Sequence, residues 1–252
     1  MILLEENVAC NAKRRIYSCA LKGASVMFDI LYLHDDFVVL NKHPNVSVHK
    51  DDGDTMLLHE VAKELGEDQL YLVHRLDKMT SGILLLARNA PAAALLCKKF
   101  ADRTIDKFYL AIGESKPRKK QGTISGDMAR SRRSSWKLLP SQHSPAITQF
   151  FSNSGEPGER LFLCKPYTGK THQIRVALKS ISSSILGDPI YNPQSKADRG
   201  YLHAFAIQFD YLSNNYQFVC RPNKGQKWKT EAVEEALEQW HSPWKLNWPK
   251  IK

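Results

Sequence analysis

Residues 82–87, Gly-Ile-Leu-Leu-Leu-Ala, form an unbroken apolar run of strand length, and the polar quartet His74-Arg75-Leu76-Asp77 stands a few residues before it. A run this short and continuous predicts a buried strand, so other elements must cover it. Tyr71-Leu72-Val73 predicts a strand leading straight into the quartet. Short strands are also expected at 28–32 and 37–40, and further ones at 105–112, 146–151, 160–164, 202–209 and 216–220. Helices are fewer. Asp54 and Thr55 can cap one whose Leu57, Leu58, Val61 and Leu65 share a face before Gly66 ends it. Asn89 can cap a second, with Leu95, Leu96, Lys99 and Phe100 as its stripe. Thr171 is expected to cap a short helix containing His172, Ile174, Arg175 and Leu178, and Thr230 to begin a C-terminal one carrying Val233, Ala236, Leu237 and Trp240. This order lacks a regular βαβ cadence and predicts an α+β fold with a mixed, mainly antiparallel central sheet and peripheral helices. There is no Walker phosphate loop and no dinucleotide glycine signature.

Charge points to a polyanionic partner. The formal net charge is +10, and residues 98–137 alone hold twelve Lys or Arg against four Asp or Glu. Lys116, Arg118, Lys119 and Lys120 form one cluster, and Arg130, Arg132 and Arg133 another, with Trp136 nearby. Such groups can neutralise phosphates while the indole offers a stacking face, or can simply solubilise an exposed hairpin. The segment 114–140, rich in Gly, Ser and Arg, is expected to be an exposed basic arm. The five cysteines include no Cys-x-x-Cys pair, which reads as reduced intracellular thiols, and the histidines show no ligand spacing, so no metal is expected. No apolar run reaches about eighteen residues, so no transmembrane helix is expected. Glu5 and Glu6 precede the first basic residues, the wrong order for a secretory signal, and a cytoplasmic protein is expected.

Several polar residues leave two readings open. Asp77 can close an Asx-type turn between strands or serve as a nucleophile or proton-transfer group. Arg75 can pair with Asp77, face a phosphate or stabilise the turn. Arg175 can lock a carboxylate with its planar fork or remain solvated. Tyr109 can stack on a base or pack as a half-buried strand residue.

The segment HRLDKMTSGILLLAR, residues 74–88, resembles the signature of the RluA-type RNA pseudouridine synthases. Val38-Val39-Leu40-Asn41-Lys42 with Val48-His49, Asp106-Lys107-Phe108-Tyr109-Leu110-Ala111 and Thr168-Gly169-Lys170-Thr171-His172-Gln173-Ile174-Arg175-Val176 resemble three further blocks in the family's order. Leu186-Gly187-Asp188 and Leu202-His203-Ala204 continue the likeness, which spans roughly residues 28–222. The resemblance implies isomerisation of uridine to pseudouridine in structured RNA, either tRNA or rRNA, without cofactor or metal. It implies that Asp77 is the catalytic aspartate, acting through covalent attack or a glycal-like intermediate. Tyr109 would stack on the base and assist proton removal, Arg175 would be the ionic partner of Asp77, and Arg75 would enter the RNA to help expel the target nucleotide. Lys42, Lys119, Arg130 and Arg133 are the further RNA-contact candidates. A catalytically inactive RNA-binding protein and a base-releasing nucleosidase are the alternatives.

Residues 1–26 do not resemble the family, so an N-terminal extension is expected there and Met27 is a candidate native start. A catalytic domain is expected over 27–226, followed by a C-terminal helix and tail over 227–252. Neither an obligatory protein partner nor membrane association is expected, and a monomer is. The chain departs from the family at His43, which separates Lys42 from Pro44, at Ala177 in place of a histidine, and at Ser182-Ser183-Ser184-Ile185 in place of Gly-His-Pro-Ile. These changes are expected to reshape the RNA-facing rim.

Overall fold

The computed structural model describes residues 27–48 and 56–251. The expected N-terminal extension, His49 and the cap residues Asp54 and Thr55 lie outside the described residues. In chain order the elements are β1 (Phe28–Leu33), β2 (Phe37–Lys42), α1 (Met56–Leu65), β3 (Tyr71–Leu72), β4 (Ser81–Ala87) and α2 (Ala90–Ala101). Then follow β5 (Asp106–Glu114), β6 (Gln121–Gly126), β7 (Met128–Arg130), β8 (Trp136–Leu138), β9 (Ala146–Ser154) and β10 (Glu159–Pro166). The last elements are α3 (Gln173–Ser180), β11 (Leu202–Tyr211), β12 (Asn214–Val219) and α4 (Glu231–Gln239). The fold is α+β and mainly antiparallel, as the order of elements predicts.

Two compact units divide the chain. One comprises the described residues up to Ile105 with Ala204–Arg221, the other Asp106–His203 with Pro222 onward. In the first unit the apolar run becomes β4, whose residues are all buried. It pairs antiparallel with β2, which in turn pairs with β1, while β3 pairs with its far end and β11 flanks it. Gly82 is there for a steric reason. Its φ is +103°, and a Cβ at that position would stand 2.3 Å from the Ala204 carbonyl oxygen. Helix α2 begins as expected, with the Asn89 side chain accepting from the Ala92 amide at 2.9 Å.

In the second unit β5, β10, β9 and β6 form an antiparallel sheet in that order, with Tyr109 opposite Cys164 and Gln121 opposite Phe151. Burial pushes the Cys164 thiol well above its ordinary range, consistent with an inert core cysteine. The segment expected to form one basic arm divides in two. Residues 121–126 are the last strand of this sheet, and β7 and β8 form a separate two-stranded ribbon. The C-terminal tail also belongs to this unit. Trp248 packs on Phe108 and Phe151, and the Lys250 carbonyl accepts from the Thr123 hydroxyl at 3.2 Å. Strands β5, β6 and β9 are thus tied to residues 248–250.

Because Gly82 combines left-handed φ with a backbone contact, Gly82→Ala is expected to destabilise the protein by at least about 2 kcal/mol in urea unfolding. A change below about 0.5 kcal/mol would mean that β4 tolerates the displacement.

Candidate active site

In the first unit the loop between β3 and β4 presents Asp77. Its neighbours alternate in burial. Val73, Leu76, Met79 and Thr80 are buried, Arg75 and Lys78 are exposed, and Asp77 lies between these extremes. The strand ends at Leu72, so strand alternation does not put Arg75 and Asp77 on a common face. The apolar side chains pull the loop inward at several points, and polar groups define its path. The His74 ring stacks on Phe100 at 4.5 Å, and its Nε2 accepts the Leu85 amide at 2.9 Å. That bond requires an unprotonated Nε2. The Thr80 amide donates to the Asp77 carbonyl at 2.9 Å, closing the turn.

Lys42 completes the brace from below. It is fully buried, and its ammonium donates to the carbonyls of His43 (2.9 Å), Val46 (2.8 Å) and Lys78 (3.3 Å). Its expected role as an RNA contact is therefore corrected. An ammonium enclosed by backbone carbonyls cannot reach a phosphate, and it instead ties the β2 end to the residue after Asp77.

In the second unit Tyr109 is half-buried in β5 and Arg175 is buried in α3. The start of α3 differs from expectation. The N-cap is His172 in the left-handed region (φ 57°), not Thr171, and no side chain caps through it. Gln173 takes over: its Oε1 accepts from the Lys170 amide (3.0 Å) and the Thr168 hydroxyl (2.7 Å), folding the Thr-Gly-Lys loop back onto the helix. Arg175 then meets a residue to which the sequence assigns no role. Its Nε and Nη2 donate to the Asp188 carboxylate at 2.7 and 2.9 Å, with both side chains almost wholly buried. Asp188 Oδ1 also accepts the amides of Ile190 and Tyr191, each at 2.9 Å. The Tyr191 ring lies under the guanidinium, 5.1 Å from its carbon. Leu186-Gly187-Asp188 carried a signal in the sequence, but only as a likeness. Nearby, burial lowers the pKa of Lys107, with Asp106 opposing that shift.

The remaining RNA-contact candidates separate. Arg130 and Arg133 are exposed on the β7–β8 ribbon, Arg130 above Trp136 at 5.6 Å. Lys119 is exposed in the connection from β5 to β6, beyond the end of β5 opposite to Tyr109. Of the departures from the family pattern, His43, Ala177, Ser183 and Ile185 are buried, whereas Ser182 is exposed. His43 is buried with Nε2 3.0 Å from Asp29, Ala177 is buried, and the buried Ser183 hydroxyl donates to the Ser115 carbonyl at 2.9 Å. Among the described residues there is no His, Cys, Asp or Glu group able to hold a metal, and no helix long and apolar enough to cross a membrane.

Removing one member of a buried ion pair strands the other. Asp188→Ala is expected to cost about 3–5 kcal/mol in chemical denaturation. A loss under about 1 kcal/mol would show that Arg175 does not depend on this carboxylate.

Residues 36–180 match the RNA pseudouridylate synthase family. A Haemophilus influenzae protein named as an RNA pseudouridine synthase is 49% identical over 211 residues, covering 83% of this chain and 94% of that protein. The ribosomal large subunit pseudouridine synthase D of Zymomonas mobilis is 31% identical over 215 residues, covering 80% of this chain and 68% of its own length. Among solved structures, human RNA pseudouridylate synthase domain containing 1 shares the fold, with a TM-score of 0.69 at 24% identity over 92% of this chain and all of that one. The chain belongs to the RNA pseudouridylate synthase family and is an isomerase that acts on RNA.

Proposed function

We propose that this enzyme converts specific uridines in structured RNA to pseudouridine, with Asp77 as the catalytic aspartate, Tyr109 as the base-stacking and proton-transfer residue and Arg175 as the ionic partner of Asp77. The reaction breaks the bond from ribose C1′ to uracil N1 and forms one from C1′ to C5. The C5 proton is lost and N1 ends protonated, so atoms balance without an external reagent. The reading rests on how the two charged groups are prepared. Asp77 sits on a loop anchored by buried side chains and by Lys42, while Arg175 is held by Asp188 through Nε and Nη2. The planar fork of an arginine has a second edge, through Nη1, whose geometry suits another anion. A guanidinium fixed in this way keeps a nearby carboxylate charged when a base displaces water.

The target nucleotide must leave its stack before these groups can reach the glycosidic bond, and the exposed Arg75 is suited to compensate for the lost stacking. The β7–β8 ribbon supplies phosphate contacts. Its tip holds Arg133 and Ser134 in the left-handed region (φ 54° and 57°), a conformation that side-chain-bearing residues adopt at a cost. Ribosomal RNA is the first substrate class to test, because relatives that share this chain's core bear ribosomal large-subunit names.

Pseudouridine mapping in a deletion strain, complemented with wild type or Asp77→Ala, is expected to reveal a site restored only by wild type. No difference between the strains in rRNA or tRNA would overturn the assignment. In a separate binding assay, replacing Arg132 and Arg133 by Ala is expected to reduce the slope of log affinity against log salt by about one to two. Lys119→Ala should matter only for RNA long enough to reach it, since the five steps along the strand from Tyr109 to Glu114 span roughly 17 Å. Equal slopes for wild type and the double variant would remove the ribbon from the interface.

A further inference from the structure

Resting on the reading that Arg175 belongs to the catalytic set, we propose that Tyr191 is a positioning residue that couples the basic β7–β8 ribbon to the Arg175 guanidinium. Tyr191 lies in the loop that follows Asp188 and is 4% exposed. Its hydroxyl accepts the backbone amide of Trp136, the first residue of β8, at 2.8 Å. The same hydroxyl lies 3.0 Å from His172 Nδ1. In that second bond the hydroxyl can donate its proton to the imidazole or accept from it, according to the tautomer of His172. One oxygen thus joins the tip end of the ribbon, where Trp136 pairs with Arg130, to the N-cap of α3, the helix that carries Arg175.

The rest of the side chain acts on the guanidinium directly. The ring is flanked by Arg175 at 5.1 Å and Lys179 at 5.4 Å, and the Tyr191 amide bonds Asp188 Oδ1, the acceptor that also takes Arg175 Nη2. A shift of Tyr191 would therefore move both the surface beneath the guanidinium and the carboxylate that orients it. A second brace runs beside the first. Asp127, at the root of β7, accepts the amides of His143 (3.0 Å) and Ser144 (2.7 Å), and Lys170 of the Thr-Gly-Lys loop donates to the Ser144 carbonyl and hydroxyl. Hydrogen bonds to the Asp127 carboxylate, the Ser141 hydroxyl first among them, hold its pKa below the ordinary value.

A ribbon joined near its tip at Trp136 and at the root of β7 to the loops around Arg175 transmits its own position. Engagement of phosphate by Arg132 and Arg133 then steadies the arginine that faces the reacting centre, so RNA contact and catalytic alignment become one event. This role differs from packing alone, because the hydroxyl can be removed without removing the ring.

The decisive variant is Tyr191→Phe in the full chain. Hydrogen exchange measured by mass spectrometry on the peptide covering 131–138 is expected to quicken around Trp136, which loses its acceptor. Single-turnover pseudouridine formation, with RNA extracted from the deletion strain as substrate, should slow about tenfold at saturating enzyme, with half-saturation changed less than about twofold. Replacing Arg132 and Arg133 by Ala should slow wild type at saturation but add little to Tyr191→Phe, because both changes interrupt the same link. Unchanged exchange at Trp136, or rate losses that simply multiply, would overturn the coupling. If wild type forms no pseudouridine in that RNA, the assigned function fails, and the exchange measurement still decides the link. Should Tyr191→Phe not fold, His172→Ala keeps the Trp136 acceptor and removes only its tie to the N-cap of α3, so the same slowing at saturating enzyme is expected, and an unchanged rate would overturn the coupling.

Discussion

The buried pair of Arg175 and Asp188 is the interaction on which the second unit is organised. Two charges removed from water are stable only when their remaining hydrogen-bonding capacity is met. Asp188 meets this condition with two guanidinium bonds and two backbone amides, so its loop has little freedom in how it passes the helix. Gly187, immediately before it, has φ +72° and stands where a Cβ would fall 1.9 Å from the Arg199 carbonyl oxygen. The backbone is drawn in closely enough to bring the Ile190 and Tyr191 amides to the carboxylate and the Tyr191 ring under the guanidinium. The arginine is preorganised by this arrangement before any RNA arrives.

The first unit reaches a comparable end by different means. Asp77 is not itself buried. It is placed by residues on either side that are, by His74, which accepts an amide of β4, and by Lys42, which satisfies a carbonyl of the β3-to-β4 loop. The polar quartet thus holds two kinds of residue. His74 and Leu76 shape the loop, while Arg75 is exposed and Asp77 is half-buried.

The distribution of charge sharpens the picture of RNA contact. One stretch of basic sequence becomes two surfaces, because β6 runs between them, paired with residues 146–151 of β9. The ribbon is joined to the loops around Arg175, whereas the 116–120 cluster lies past the far end of β5. An RNA that touched both would have to extend along the sheet, a requirement that charge counting cannot reveal.

Elements with local signals were legible before any fold was known. The apolar 82–87 run became the buried β4, Asn89 capped α2, and the spacing of Val233, Ala236 and Leu237 produced the buried face of α4. The residues proposed for the chemistry were also legible, through their ordered blocks. Three features emerged only with the folded chain. Lys42 is a charged residue and reads as a surface contact until three carbonyls enclose it. Thr171 has good capping chemistry, yet Gln173 satisfies the loop and His172 takes the left-handed position. Asp188 stands thirteen residues from Arg175, beyond any helical or strand period, so their pairing depends on the chain's path through Gly187. Local spacing determines periodicity and caps, whereas desolvation and long-range pairing exist only once the chain has folded around them.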